Sequence, residues 1–473
     1  MDEPVSAHQA PKRRVAIVPH THWDREWYLP FQTFRLRLVE LLDDLLPTLE
    51  ADPGYAHFLL DGQLAVVDDY LAVRPDAEAA LRRLITAGRI SVGPWYTLPD
   101  EFLVSGETLI RNLQLGIQRA ASLASLRDER NDAAMDVGYL PDMFGHVAQM
   151  PQILRQLGIE HAVVWRGVPS AIDRIAFAWS APDASTVRAE YLPAGYGNGA
   201  RVPHDADALI ARIDEFAHQH AAKLAGGPVL WMNGTDHLLP QPWLAEVVAK
   251  ANAAQDRWHL DITSLADYVT SASSADRDLP AWTGELRSSA RANLLMGVTS
   301  NRVDVKQAAA RAERSLERWA EPLSALFLPP DDWPGALLDE AWLAMVRNAA
   351  HDSICACSAD EVVDEVLVRY ATARQIGDGL AERAVAALGA AVAASGPVVV
   401  NAAARPRTGL VELVVPGDDP EPEGTQTLRV RPAEITLVEL SSPALAAGIA
   451  AELEYLPRYG SVRVEDAGSG AVL

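Results

Sequence analysis

Three side chains near the start of the chain have the types and the spacing to hold a divalent metal. His20, His22 and Asp24 fall on alternate positions of Pro19-His20-Thr21-His22-Trp23-Asp24-Arg25-Glu26-Trp27. Alternate residues of an extended chain point the same way. Neutral imidazoles beside a carboxylate suit zinc. Just upstream, Val15 to Val18 is a short β-branched run, read as a fully buried parallel strand. The C-terminal ends of such strands are where α/β folds place chemistry. The plainer reading, that His20 and His22 are ordinary loop or core histidines, has to explain three potential ligands at one strand end.

The rest of the first half repeats that placement. Strands are expected at His57–Leu60, Ile90–Val92, Asp136–Leu140, His161–Trp165, Val187–Leu192 and Val229–Met232. Between them lie helical patterns at 33–46, 64–73, 76–86, 106–123, 149–157, 205–225 and 242–252. This alternation implies a parallel sheet, open or closed into a barrel. Trp95, Asp142, Arg166 and Asp236 each follow an expected strand end, as His22 and Asp24 do. An active site at one mouth of a barrel demands this phase, which scattered surface carboxylates would not show.

From about Trp282 the alternation stops. Residues 304–321, 337–350 and 358–394 are rich in Ala and Leu and read as a three-helix bundle. A His351-Asp352 pair lies in the connection between the second and third helices, where a cap and a solvated loop residue are the plainer readings. Residues 396–400, an alternating Val-Glu-Leu-Val-Val from Val411, and 427–440 are strand-like, too little for a complete β domain.

Composition narrows the function classes. The 473 residues suffice for two or three domains, and 49% hydrophobic with 22% charged residues is a soluble, globular balance. A net charge of −23 repels phosphate backbones and argues against a nucleic-acid partner. No window approaches a membrane span, and the polar residues 1–12 lack the apolar core of a signal peptide. Cys355 and Cys357 are the only cysteines, poorly spaced for a mutual disulfide, which suggests a reducing, cytoplasmic setting.

Four stretches taken together resemble glycoside hydrolase family 38, the retaining α-mannosidases. They are Pro19 to Trp27, Gly138-Tyr139-Leu140-Pro141-Asp142-Met143-Phe144-Gly145-His146, Asn233-Gly234-Thr235-Asp236-His237, and His351-Asp352-Ser353-Ile354-Cys355. The version is similar to the bacterial, cytosolic branch; animal Golgi and lysosomal members usually have Pro-Gly where this chain has Arg25-Glu26. The resemblance implies an α/β class chain: a seven-stranded α/β barrel over residues 1–275, a three-helix bundle over 276–395 that contributes a metal ligand, and a short, incomplete all-β segment over 396–473. It implies one zinc ion per chain, held by His22, Asp24, Asp142 and His351. It makes Asp142 also the nucleophile and Asp236 the general acid/base, with Trp27, Arg166, Asp352 and His237 binding substrate. Arg166 would orient Asp142. The substrate would be a mannoside: a short mannoside, a free oligosaccharide or a mannosylglycerate-like compound. A homo-oligomer is compatible with the sequence.

The assigned roles make physical sense. A retaining glycosidase needs two carboxyl groups roughly 5–5.5 Å apart, one to attack the sugar and one to hand over and take back a proton. Burial or a neighbouring carboxylate is what would keep the proton on Asp236. Two alternatives stay open. One is a metal-dependent amidohydrolase or deacetylase, for which the later strand ends offer aspartates where further histidines are needed, His146 and His204 being poor substitutes. The other is a truncated carbohydrate-binding relic, because family members usually continue through long β domains and this chain stops at Leu473.

Overall fold

The computed structural model describes residues 12–124, 134–392, 400–401, 413–416 and 427–430. The chain divides into two compact units, Met1–Ala310 with Trp342–Thr372, and Arg311–Ala341 with Ala373–Leu473.

The first unit is α/β. Its strands are β1 (Arg13–Pro19), β2 (Phe58–Leu59), β3 (Ile90–Ser91), β4 (Val137–Leu140), β5 (His161–Val164), β6 (Ala176–Ser180), β7 (Thr186–Tyr191), β8 (Val229–Asn233), β9 (Trp258–Ile262) and β10 (Ala281–Thr283). They form three sheets, ordered β8-β1-β9, β10-β6-β7-β5-β4 and β2-β3. Val15 to Val18 of β1 is wholly buried, as its continuous apolar run requires of a strand covered on both faces. The long helix Phe31–Ala51 buries Phe34, Leu38, Leu41, Leu42, Leu45 and Leu49, one stripe at helical spacing.

The expected seven-stranded barrel is not what the sheets form. Single bridges, His20 to Leu59 and Val92 to Ala134, link β1 to β2 and the end of β3 to the approach to β4. Among the described residues β7 and β8 do not pair, so no sheet closes. The Asn198 amide stands in that seam instead, accepting the Met232 N–H at 2.7 Å and donating to the Leu230 carbonyl at 3.0 Å. Nor is the main sheet purely parallel. β6 runs antiparallel to β7, and β10 then pairs parallel with β6. These two strands and β9, which pairs parallel with β1, were not expected. In β9 the sequence Trp-His-Leu-Asp-Ile alternates sides over only five residues, and the Trp258 and Leu260 side is the buried one.

The helices expected for the bundle are present at Val303–Ser315, Glu321–Phe327, Gly335–Asn348 and Asp360–Ala391, the first two joined by a π-helical turn at Leu316–Ala320. The unit boundary cuts through them, so that they do not form a compact unit of their own. Hydrogen bonds explain why Trp342–Thr372 goes with the α/β part. The Thr97 hydroxyl donates to the Val346 carbonyl at 2.8 Å, the Asp100 N–H to Ala349 at 2.9 Å, and the His351 N–H to Leu98 at 3.1 Å. In the second unit the Ser315 hydroxyl donates to Asp378 at 2.6 Å. There β11 (Leu413–Pro416) and β12 (Thr427–Val430) pair antiparallel. Of the expected β material, 396–399, 411–412 and 431–440 lie outside the described residues, and Val400 is in no strand.

Candidate metal centre and active site

The site is assembled where β1 and β8 run on past their last paired residues. Beyond Pro19 and Asn233 the two chains stay side by side: His22 N–H donates to Thr235 O at 3.2 Å, and His237 N–H to His22 O at 2.8 Å. Gly234 makes that approach possible, since a Cβ there would sit 2.0 Å from the His20 carbonyl oxygen. Asp61, Asp142 and Arg166 leave the ends of β2, β4 and β5 on the same side. His351 arrives from the short helix His351–Cys355, which is anchored at Leu98.

Three buried side chains converge. His22 Nε2 lies 3.2 Å from Asp24 Oδ1, and His351 Nε2 lies 3.4 Å from the same oxygen. Asp142 Oδ2 is 3.6 Å from His351 Nε2 and 4.0 Å from His22 Nε2. Tetrahedral donors each ~2.0–2.1 Å from a zinc ion stand roughly 3.3 Å apart, close to these separations. His22 Nε2, Asp24 Oδ1 and His351 Nε2 are all buried with no hydrogen-bond partner. A native protein does not ordinarily leave three such atoms facing one point unless something occupies it. Both imidazoles are turned for the purpose. His22 Nδ1 lies 3.0 Å from Asp61 Oδ2, and His351 Nδ1 lies 3.4 Å from the Leu98 carbonyl. A proton held on Nδ1 by those acceptors leaves the Nε2 lone pair free for a metal. A cavity of about 10 Å³, lined in part by Asp24, His351 and Asp352, is the size of an ion or a water, not of a sugar ring. The residues present therefore fit a divalent cation.

The electrostatics agree. Burial disfavours charge on His351, but Asp352, Asp142 and Asp24 outweigh it and push its pKa up to about 9. His22 is likewise raised well above the ordinary imidazole value against its burial, by Asp61 and Asp24. Burial opposes ionisation of Asp24, yet His22, His351 and His237 hold its carboxyl well below the usual range. Asp142 is lowered too, with burial overcome by His351, His22 and Arg166. Burial and the Asp24 charge push Asp352 up to about 7. The carboxylates favour positive charge in the pocket, which is what a cation would bring.

The two oxygens of Asp142 do different things. Oδ2 faces the histidines, while Oδ1 accepts from Arg166 Nε at 2.9 Å and Nη2 at 2.6 Å. Arg166 is itself held by the Asn293 carbonyl at 2.6 Å and by the face of Trp165, 4.1 Å from its centroid. Asp236 is exposed, not buried as one route to a retained proton would have it, and its Oδ1 accepts the Tyr196 hydroxyl at 2.7 Å. Asp352 is buried next to His351, with Oδ2 3.9 Å from Nε2, and Cys357 Sγ donates to its Oδ1 at 3.0 Å. His237 stands behind Asp24, its Nε2 3.3 Å from the Asp24 carbonyl, with its ring packed on Trp23 and Phe34. Trp27 is half-buried beside Tyr28. Two strand-end residues are not brought into the cluster: Trp95 is wholly buried in a hydrophobic core, and His20 turns its Nε2 to the Tyr196 carbonyl at 2.9 Å.

Residues 12–285 match the family described as Glycosyl hydrolases family 38 N-terminal domain, and 293–388 the Alpha mannosidase middle domain. The chain belongs to glycosyl hydrolase family 38. Among relatives of this family, a Halalkalibacterium halodurans protein provisionally named a mannosylglycerate hydrolase is 33% identical over 374 residues, covering 76% of this chain and 41% of that protein. Human alpha-mannosidase 2C1 is 23% identical over 412 residues, covering 84% of this chain and 37% of that one. The crystal structure of an alpha-mannosidase from Enterococcus faecalis V583 superposes with a TM-score of 0.78 at 33% identity, over 86% of this chain and 47% of that chain. The chain thus spans less than half the length of these relatives.

Within this family 38 site the sequence reading passed over several residues. Asp61, fully buried, pairs with His22 and accepts the Trp23 N–H at 2.8 Å and Gln63 Nε2 at 2.9 Å. It follows β2 as Asp142 follows β4, so the strand-end phase could have found it. Tyr196 joins the two halves, its hydroxyl on Asp236 and its ring 4.7 Å from that of His22. It lies five residues beyond β7, and no spacing rule points to it. Arg25 and Glu26, the departure from the animal pattern, are both buried. Arg25 forks onto Asp69 at 2.7 and 3.1 Å. Glu26 accepts from the Ser353 hydroxyl at 2.7 Å and from Arg369, tying the metal-site loop to the helix that carries His351.

Proposed function

We propose that the chain is the catalytic part of a metal-dependent, retaining α-mannosidase acting on terminal α-mannosides, with its active site between an α/β part over 1–275 and helices within 276–395. The observation that carries this reading is the convergence of three partnerless buried donor atoms on one point beside Asp142, in a chain of family 38. His22, Asp24, His351 and Asp142 Oδ2 would hold the cation, zinc being the one their donor set suits best. When bound it would supply a positive charge against which sugar hydroxyls bind.

The chain's own residues then divide the work. Arg166 holds Asp142 Oδ1 at 2.9 and 2.6 Å, and its guanidinium charge favours the ionised carboxyl that a nucleophile must be. Attack on the anomeric carbon would form a covalent mannosyl ester on Asp142 as the leaving oxygen takes a proton from Asp236. Water then attacks the anomeric carbon, its proton passing to Asp236 as the ester bond to Asp142 breaks and the Asp142 carboxylate is regenerated. Its exposure lets a leaving group reach it, and the Tyr196 hydroxyl fixes its orientation. Asp352, Trp27 and His237 complete the sugar site, the last acting through Asp24. The provisional name of the Halalkalibacterium halodurans relative favours short mannosides such as mannosylglycerate. The free cysteines Cys355 and Cys357 favour a cytoplasmic enzyme. The test is metal analysis of the purified chain together with hydrolysis of an aryl α-mannoside, repeated on His351→Ala. Metal and turnover in the parent, and loss of both in a folded variant, are expected; a metal-free parent that hydrolyses the substrate overturns the reading.

A further inference from the structure

The seam between β7 and β8 has a second opening. Asn198 fills it beside Leu230 and Met232, but where Gly227 and Pro228 lead into β8 a cavity of about 200 Å³ remains. It lies at the end of β8 away from Asp236, and the five residues of β8 alone span about 16 Å at the usual rise per residue. Arg188 and Glu190 reach it from alternate positions of β7, and Tyr268 from the helix Leu265–Ser273. Glu190, only 1% exposed, accepts from Arg188 at 2.7 Å and from the Tyr268 hydroxyl. Asp276 also pairs with Arg188. Both acids lining the cavity are therefore committed to one arginine. Arg174, Lys223 and Arg277 line it as well, and among the described residues none of the three has an acidic partner. Four cations against two carboxylates leave a local charge of +2 in a chain whose net charge is −23.

We propose that this seam cavity is a binding site for a compact organic dianion of the phosphate monoester class. Two negative charges balance the lining. Lysine and arginine ends offer the several donors that a tetrahedral oxyanion accepts. The volume exceeds that of the anion itself and leaves room for a small attached group.

The test uses the metal-loaded chain and isothermal titration with glycerol 3-phosphate at constant ionic strength, with malonate as a dicarboxylate control. Saturable binding of glycerol 3-phosphate is expected, at least tenfold weaker in an Arg174→Ala/Lys223→Ala variant. Both substituted side chains are exposed or half-buried, so the fold and aryl mannoside hydrolysis should be unchanged. Absence of saturable binding, equal affinity in parent and variant, or malonate bound as tightly as glycerol 3-phosphate overturns the proposal.

Discussion

Replacing Asp61 by Asn tests whether the buried carboxylate behind His22 sets the metal affinity. Asp61 lies 3.0 Å from His22 Nδ1 and takes no part in the cluster of donor atoms itself. Its φ of 50° is left-handed, a conformation that Asn adopts as readily as Asp, so the change adds no backbone strain. What changes is the charge and one acceptor. Both oxygens are in use, with the Trp23 N–H and Gln63 Nε2 on Oδ2 and His22 Nδ1 within reach of both. An amide NH₂ must therefore face a donor on one side. If it faces His22, the imidazole loses the acceptor that holds its proton on Nδ1. Removing such a partner typically costs 10–100-fold in metal affinity, or about 1.4–2.7 kcal/mol. If it faces Trp23 and Gln63, a donor–donor clash should cost about 1–3 kcal/mol of stability instead. Competition against a chromogenic chelator separates the two outcomes, with circular dichroism and thermal melting run alongside. A variant that keeps both zinc affinity within about twofold and the parental Tm would show that Asp61 neither orients His22 nor matters to its surroundings, and the account of the site would have to be redrawn.

Four further outcomes are expected. Asp142→Asn should abolish turnover while a fluorosugar inactivator labels Asp142 in the parent, and NMR of the first product should show the α-anomer; a β-anomer would remove Asp142 as nucleophile. Asp236→Ala should lower kcat/KM on alkyl mannosides far more than on activated aryl ones, with stability changed by less than about 0.5 kcal/mol because the residue is exposed; an equal loss of kcat/KM on both substrates would count against proton transfer. Gly234→Ala should push the ends of β1 and β8 apart, since its Cβ would lie 2.0 Å from the His20 carbonyl oxygen. A fall of about 1–3 kcal/mol together with metal loss is expected there, and an unchanged Tm speaks against the close approach. Finally, His57 is buried, with Nδ1 2.9 Å from the Gly88 carbonyl, and burial lowers its pKa. The unfolded chain takes up this proton near pH ~6.5 before the folded chain does, so stability should fall as pH drops through that value, by at most about 1.4 kcal/mol per pH unit for this group. Urea midpoints for parent and His57→Asn near neutrality and one unit below ~6.5 check this; an equal pH dependence in both refutes it.

What could be read from the sequence, and what could not, follows from how local each signal is. His22 and Asp24, two members of the candidate metal cluster, lie two residues apart at a strand end, and that spacing is visible in the sequence. His20 obeys the same spacing and misses the cluster, because Tyr196 claims its imidazole, and Tyr196 belongs to a loop nearly two hundred residues away. His351 has no local signal at all; only the family resemblance carried it to the site, and the Leu98 and Ala349 hydrogen bonds that deliver it are backbone contacts that leave no mark on composition. The closed barrel failed for a related reason. Alternating strand and helix patterns count strands but do not say which edges meet: among the described residues β7 and β8 do not pair, and β2 and β3, two residues each, make only short ladders. Asp142 and Asp236 are the sharpest case. In the sequence both are aspartates just past a strand, indistinguishable by type or phase. The fold separates them: one accepts two hydrogen bonds from Arg166 and faces the candidate metal cluster, while the other is exposed and accepts a single tyrosine hydroxyl. A two-step displacement needs that asymmetry, a fixed anion to attack and an accessible acid to trade protons. The assignment of nucleophile and acid therefore rests on the surroundings of the two carboxyl groups rather than on the carboxyl groups themselves.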